Sequence, residues 1–501
     1  MHRLPSAEAE VAAELADVRP ELASRYAAEL PGARAAVLTR LWRALAYEPL
    51  PWVVRREAGR EGLTLCLSDG RRLHGPHADP YATPAYVTAV RLDETSYDDP
   101  ARLLTDLSVP RGTSFAAELG HSVASLALSR AGQEPHSKEW PRHDWEWEQR
   151  VVDGHPFHPN CRSRPGFSVA EQLAYGPEHR AVVTLGPVPA RADGCLVTGE
   201  WPAGLRDGER LLIPVHPWQA EHVLKRPYEG GMPAHPLMSL RTLALSEGPH
   251  VKTALSARLT SSVRDISVYS IGLSATLSDF AETLAARMDG LLHVTRTLGA
   301  ATADSPDLAA VVRESPQVYA GPGERVVPVA ALATTELPES PAWLAEFTRL
   351  ALTVGLRLLE LGVALEAHGQ NLLVVLSPNG SPVRLVYRDL ADIRVSPARL
   401  ARHGIPVPEL TGRIVTDDVT ALRRKLFGSL AAGALASTAG SGAALRAALE
   451  AVVRDLPGTV DLAALRDEPL PTKALTLMRL SPGTPGDQWA RLPNPLVSEV
   501  F

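Results

Sequence analysis

Residues 154–168 read GHPFHPNCRSRPGFS, and no regular helix can run through them. A proline follows His155 and another follows His158, and a residue before proline is driven out of the helical region. The stretch is an extended or turning segment, and the rest of the chain must fold around it. That argues against a zinc pair, which needs both rings on one helical face. Arg162 and Arg164 alternate, so in an extended segment they share a face. Their planar forks suit phosphate or carboxylate oxygens. A cationic cradle is the favoured reading; a metal pair and a proline-stiffened surface loop are its competitors.

The bulk numbers narrow the class. At 501 residues the chain is expected to form two to four domains or subdomains. Its 45% hydrophobic and 22% charged content is that of a soluble globular protein. A net charge of -6 argues against general nucleic-acid binding, which needs a basic face. Cys66, Cys161 and Cys195 form no close pair, so a reducing, cytoplasmic compartment is expected. The opening MHRLPSAEAEVAAELADV carries acids where a signal peptide needs an apolar run. The apolar stretch 350–369 is interrupted by Arg357, Glu360 and Glu366 and reads as a buried helix, not a membrane span.

Periodicity predicts helices over 7–46 broken at Pro20 and Pro31, and a hairpin over 62–75 turning at Asp69-Gly70. A further helix is expected over 114–131, and short strands from about 180 to 260. Residues 240–260 read as a hairpin and 271–288 as a helix. A long helix is expected to end near Gly369, followed by a hairpin over 371–390 turning at Asn379-Gly380. The remainder reads as helical.

Two further constellations carry chemistry. In VKTALSARLTSSVRD (251–265), strand geometry puts Lys252, Ala254, Ser256, Arg258 and Thr260 on one face. Thr260, Ser261 and Ser262 then offer hydroxyls and backbone N–H groups to an anion, and a helical turn there would set Arg264 over Thr260. The competitor is an edge strand with solvated charges. In EAHGQN (366–371), the following hairpin brings Asp389 of RDL back towards Glu366, His368, Gln370 and Asn371. Carboxylate and amide oxygens are what Mg²⁺ takes, alongside substrate phosphates. The competitors are a helix C-cap for His368 and a surface pairing of Asp389 with Arg388 or Arg394. His216 in IPVHPWQ reads as a strand end beside Trp218, and KALTLMRL (473–480) as core with snorkelling Lys473 and Arg479. Neither a Walker A nor a Rossmann glycine loop occurs.

GHPFHPNCRSRPGF, KTALSARLTSSVRD, EAHGQN with RDL, and KALTLMRL stand in an order that resembles the NRPS-independent siderophore synthetases, the IucA/IucC family. The resemblance covers roughly residues 145–480. It implies an α+β cupped-hand fold with a thumb (1–145), fingers (146–340) and a mainly helical palm (341–501). It implies an enzyme that adenylates a carboxylic acid, such as citrate or a dicarboxylate derivative, with ATP and Mg²⁺. An amine or alcohol then takes the acyl group, in siderophore or related biosynthesis. A homodimer is implied, with no nucleic-acid or membrane partner.

Carried over by motif, Lys252, Arg264 and His155 or His158 contact ATP phosphates, with Arg162, Arg164 and Ser261 in the same wall. Thr260, Arg264, His368 and Gln370 bind the carboxylate, and Glu366, Asn371 and Asp389 hold Mg²⁺. Lys252, Arg264, His158 and His368 are the catalytic candidates. The family pattern HPxxKxR has Arg162 in place of its lysine here, which keeps the charge and changes donor geometry. The alternatives are a kinase-like phosphotransferase and a non-catalytic carboxylate-binding protein on the same scaffold.

Overall fold

In the computed structural model, the described residues are 6–134, 139–226, 230–246, 248–259, 262–303 and 305–497. The first element shows why its residues fold as they do. Ser6 caps the helix Ala7–Val18, its Oγ accepting from Ala9 N at 3.3 Å. Pro20 opens a short 3-10 turn, and the helix Ala23–Tyr47 follows. Pro31 was expected to break this helix and sits inside it instead. The second half of the helix, Ala36 to Ala46, is wholly buried, and that packing outweighs a proline cost of about 3 kcal/mol.

This helix packs with Pro100–Leu107 and Gly112–Ala131 on a five-stranded antiparallel meander, Val53–Gly59 to Thr95–Tyr97. The shared core contains Leu41, Trp42, Leu65, Leu73, Phe115 and Leu119. Ala474, Leu477, Leu480 and Ala490, from the far end of the chain, complete it. The amino-terminal unit therefore holds the KALTLMRL segment against its own helices.

The middle of the chain builds a nine-stranded sheet. Its centre runs Thr297–Thr302, Ala309–Arg313, His250–Thr253, Thr242–Leu245, Met232–Pro236 and Val183–Arg191, each pair antiparallel. The expected hairpin over 240–260 is present as Thr242–Leu245 against His250–Thr253. The strand then stops at Ala254, and Leu255–Leu259 pairs separately with Ser262–Arg264. Lys252 and Arg258 thus lie on different sheets, not on one continuous strand face. Arg264 sits in a strand opposite Leu255, not one helical turn above Thr260.

The third core surrounds the helix Pro341–Leu361. Ser340 caps it, and Gly362 ends it at φ 108°, where its N–H reaches Leu358 O and Leu359 O. The helix therefore stops seven residues before the expected Gly369, because Gly362, and not Gly369, takes the left-handed conformation. His368 is consequently no helix cap. The hairpin Leu372–Leu376 with Pro382–Tyr387 follows as expected. It is flanked by Arg325–Pro328 and, in parallel, Leu292–Val294. This sheet crosses the division expected at residue 340. The architecture is α+β, with helices on both outer units and antiparallel pairing dominant.

Candidate active site

The GHPFHPN segment is irregular yet buried from Phe157 to Arg164. Such a segment has no ladder to satisfy its backbone, so side chains must do it. Ser122 Oγ donates to Pro159 O at 3.0 Å, and Arg40 Nε to His155 O at 3.0 Å. Gly154 opens the turn at φ 68°, where a Cβ would lie 2.2 Å from Cys161 O.

Each His-Pro forms the same local turn. His155 Nδ1 accepts from Phe157 N and His158 N, both at 3.1 Å. His158 Nδ1 accepts from Asn160 N at 3.0 Å, and His216 Nδ1 from Trp218 N at 3.1 Å. A ring whose Nδ1 accepts carries its proton on Nε2 when neutral. Burial holds His155, His158 and His216 below the ordinary histidine range, so each presents an Nε2–H donor. His155 is an exposed residue, although protein crowds around its ring. His158 is 1% exposed, and no described residue accepts from its Nε2.

Arg162 and Arg164 do share an anion, as their alternation predicts, but it is this chain's own Glu178. Arg164 grips Glu178 at 2.8 and 3.1 Å, and Arg162 NH1 lies 3.5 Å from it. Arg162 also donates to Val152 O at 2.6 Å and to Val151 O. All three side chains are at most 5% exposed. Both arginines brace the loop. Where they were expected to hold nucleotide phosphates, this structure sets their charge against a buried carboxylate and loop carbonyls.

Lys252 and the cleft follow from strand register. Lys252 is paired with Val311, and Arg313 is two residues further along that same neighbouring strand. Such diagonal positions share a face. Asp389 reaches them from the end of the hairpin, its Oδ2 2.6 Å from Lys252 Nζ and 4.0 Å from Arg313 NH2. Asp389 has φ 71°, a conformation that non-glycine residues adopt where the surroundings enforce it. Burial would raise the Asp389 pKa, but Lys252 and Arg313 outweigh it and hold the carboxyl well below its usual range. Burial pushes Lys252 down; Asp389 opposes this, and Arg241 and Arg313 add to it. Arg241 NH1 donates to Arg264 O and Asp265 O, both at 2.7 Å, and so props the Arg264 strand. The Arg264 guanidinium is half-buried and has no hydrogen-bond or ion-pair partner among the described residues. Asp389 and Glu366 are the acids that act on it.

Glu366 and His368 lie on the turn that precedes the hairpin. Glu366 Oε1 takes Lys425 Nζ at 3.3 Å and Lys473 Nζ at 3.2 Å. Lys425 also binds Asp392 at 2.6 Å. His368 Nδ1 accepts from Gln370 N at 3.3 Å. Burial lowers the His368 pKa, with Glu366 and Asp389 opposing and Lys473 and Lys425 assisting. His368 acts in turn on His155, which puts the opening loop and EAHGQN within electrostatic reach of each other. Gln370 contributes its carbonyl to Arg388, at 3.0 and 2.8 Å. Glu366 Oε2, Asp389 Oδ1 and the Asn371 amide accept from no described residue, and this donor set fits a hard divalent cation. Among the described residues the group of three histidines or acids at common ligand distance is Glu171, Glu221 and His222, none of them predicted.

The structure brings together His155, His158, Lys252, Arg264, Glu366, His368, Gln370, Asn371 and Asp389. Thr260 and Ser261 lie outside the described residues. Sequence reasoning missed Arg241, Arg313 and Lys425 and took Lys473 and Arg479 as core. A signal existed for Arg313: it ends an otherwise apolar, fully buried strand, AAVVR, where a charge needs a reason.

Residues 143–334 match the family model described as IucA / IucC family. Through that region the chain is similar to the IucA/IucC family. Residues 341–485 match a second model, described as Ferric iron reductase FhuF-like transporter. That stretch contains no cysteine and so offers no thiolate for an iron–sulfur cluster. A citryl-spermidine/3,4-dihydroxybenzoyl-citryl-spermidine:spermidine ligase of Bacillus anthracis is 26% identical over 312 residues, covering 49% of this chain and 51% of that one. Staphyloferrin A synthase of Staphylococcus aureus is 22% identical over 370 residues, covering 60% and 63%. The chain spans about half the length of the first curated relatives it matches. Among solved structures, petrobactin biosynthesis protein AsbB from Bacillus anthracis superposes with TM-score 0.75 at 20% identity, covering 93% of this chain and 96% of that one. ATP-bound aerobactin synthetase IucA from Klebsiella pneumoniae gives 0.67 at 20%, covering 93% and 99%. These likenesses establish the fold.

Proposed function

We propose that this chain activates a carboxylic acid with ATP and passes the acyl group to an amine or alcohol. The observation that carries the reading is the gathering of Lys252, Arg313 and Arg264 about Asp389, with His158 in electrostatic reach of Arg264. Such an excess of positive charge suits a polyphosphate and a carboxylate together. The printed names of the relatives point the same way: a citryl-spermidine ligase, a staphyloferrin A synthase and an ATP-bound synthetase. The substrate class is accordingly citrate or a citrate-derived acid, for siderophore or related biosynthesis.

In this reading the acid's carboxylate attacks the α-phosphorus of ATP, and pyrophosphate leaves. Lys252, Arg264 and Arg313 hold the phosphoryl oxygens as charge builds on them. His155 donates its accessible Nε2–H to a phosphate oxygen. His368, with Nδ1 engaged by Gln370 N–H, carries its proton on Nε2 and donates to the substrate carboxylate. That tautomer suits holding the acid better than taking a proton from the acceptor. Glu366, Asn371 and Asp389 would hold Mg²⁺, which supplies charge neutralisation between phosphates. The acceptor then attacks the acyl carbon and AMP departs, with the cleft serving to hold the two reactants together. A homodimer and a cytoplasmic location belong to the same proposal; among the described residues no helix is long and apolar enough to cross a membrane.

The test is a screen of citrate, citryl amides and dicarboxylates for acid-dependent turnover of ATP. AMP and pyrophosphate are the expected products. ADP and phosphate would favour a phosphotransferase, and tight acid binding without nucleotide turnover a binding protein. A second prediction concerns Asp389→Asn. It removes the charge that Lys252 faces and one of the two anionic Mg²⁺ ligands together. Mg-ATP affinity at limiting Mg²⁺ is expected to fall about 10- to 100-fold, the size of one charge-assisted contact. Unchanged affinity by calorimetry would take Asp389 out of the metal set.

A further inference from the structure

The helix Gly112–Ala131 belongs to the amino-terminal unit and carries no residue of the motifs described above. Its Glu118 nevertheless joins two of them. Glu118 accepts from Arg479 Nε at 2.9 Å and from Arg479 NH2, which lies in KALTLMRL. Its Oε2 also accepts from Asn160 Nδ2 at 2.6 Å, in GHPFHPN. Asn160 N in turn holds His158 Nδ1 at 3.0 Å. Arg479 and Glu118 are 13% and 15% exposed, and Asn160 is fully buried. Arg479 is the charged group that acts most strongly on the His158 ring, ahead of Arg264 and Arg40.

The Arg479 end is itself anchored from the same unit. Glu48, at the end of the helix Ala23–Tyr47, accepts from Thr476 N at 3.1 Å and Leu477 N at 2.7 Å. Leu477 and Leu480 pack in the amino-terminal core. The cation is thus fixed at both its backbone and its guanidinium.

We propose that Glu118 is a positioning residue that holds the Arg479 guanidinium beside the His158 loop, so that the amino-terminal unit sets the charge and geometry of one cleft wall. The proposal rests on the reading of that cleft as an anion-activating site. A purely structural tie would need only an ion pair of either polarity. Positioning of a cation needs arginine at 479 and the acid at 118.

The charge swap Glu118→Arg with Arg479→Glu separates the two. The probe is inorganic tripolyphosphate, titrated calorimetrically, with acid-dependent pyrophosphate release as a second readout and thermal unfolding as a fold check. The single variants Glu118→Ala and Glu118→Gln are expected to lose about 10- to 100-fold in tripolyphosphate affinity, the size of one charge-assisted hydrogen bond. The swap is expected to regain thermal stability relative to Glu118→Ala and to leave affinity at the single-variant level or below. Recovery of affinity by the swap, or wild-type affinity in Glu118→Gln, would overturn the proposal. If the wild type binds tripolyphosphate but turns over no acid, the ligase reading fails while Glu118 is still tested by binding. If the wild type does not bind tripolyphosphate, the anion site and the role of Glu118 fall together.

Discussion

Replacing Arg264 with alanine is expected to cut acid-dependent pyrophosphate release by about 100- to 1,000-fold while leaving thermal unfolding unchanged, the size of effect seen when one preorganised donor to a developing charge is removed. The expectation comes from what Arg264 does not do in the fold. Its guanidinium has no partner among the described residues, although it is half-buried and faces Asp389 and Glu366. Its backbone carbonyl is the part that the fold uses, by way of Arg241. Alanine keeps that carbonyl and removes only the fork. Lysine at 264 keeps a charge but not the planar pair of donors, so it should restore part of the rate at most. Turnover near the wild-type level in Arg264→Ala would remove the central claim about the cleft.

Replacing Glu178 with alanine is expected to have the opposite profile, a loss of folding stability of roughly 3–5 kcal/mol. The acid is fully buried between Arg162 and Arg164 and accepts from Ser129 Oγ at 2.8 Å. Removing it strands two guanidinium groups that are at most 5% exposed. Burial would raise the Glu178 pKa, but Arg162 and Arg164 outweigh it and hold it well below the ordinary value. A depressed acid stabilises the fold above its unfolded pKa of about 4.3 and loses that contribution as pH falls through the folded value. The stability deficit of the variant should therefore be largest above that pKa and shrink as the wild type is acidified through the folded value. A thermal midpoint like the wild type would show that the cluster is dispensable. Normal stability with lost tripolyphosphate binding would return Arg162 and Arg164 to the cleft.

These two variants mark the boundary of what sequence reading reaches. The His-Pro turns were legible because proline acts on its immediate neighbour. The turns at Asp69-Gly70 and Asn379-Gly380 were legible for the same local reason. Lys252, Arg264, His368 and Asp389 were legible because their motifs place unusual residue types together. The partners of Arg162 and Arg164 were not. An arginine next to an anion reads the same whether the anion is a ligand or Glu178, and the choice is made by packing 14 residues away from Arg164. Pro31 and Gly362 misled for a related reason: the length of a helix is decided by what covers it and by where a left-handed residue can end it.

The sequence by itself determined the irregular loop and the likeness of residues 143–334 to the IucA/IucC family. Each depends on bonds within a few residues or on an ordered set of motifs. Only the tertiary structure decided which cations face the cleft. Strand register set Arg313 beside Lys252, and the return of the chain to the amino-terminal core set Arg479 against Glu118. Neither relation has a local signature, because a charge acts through space and the distance that governs it is created only by folding.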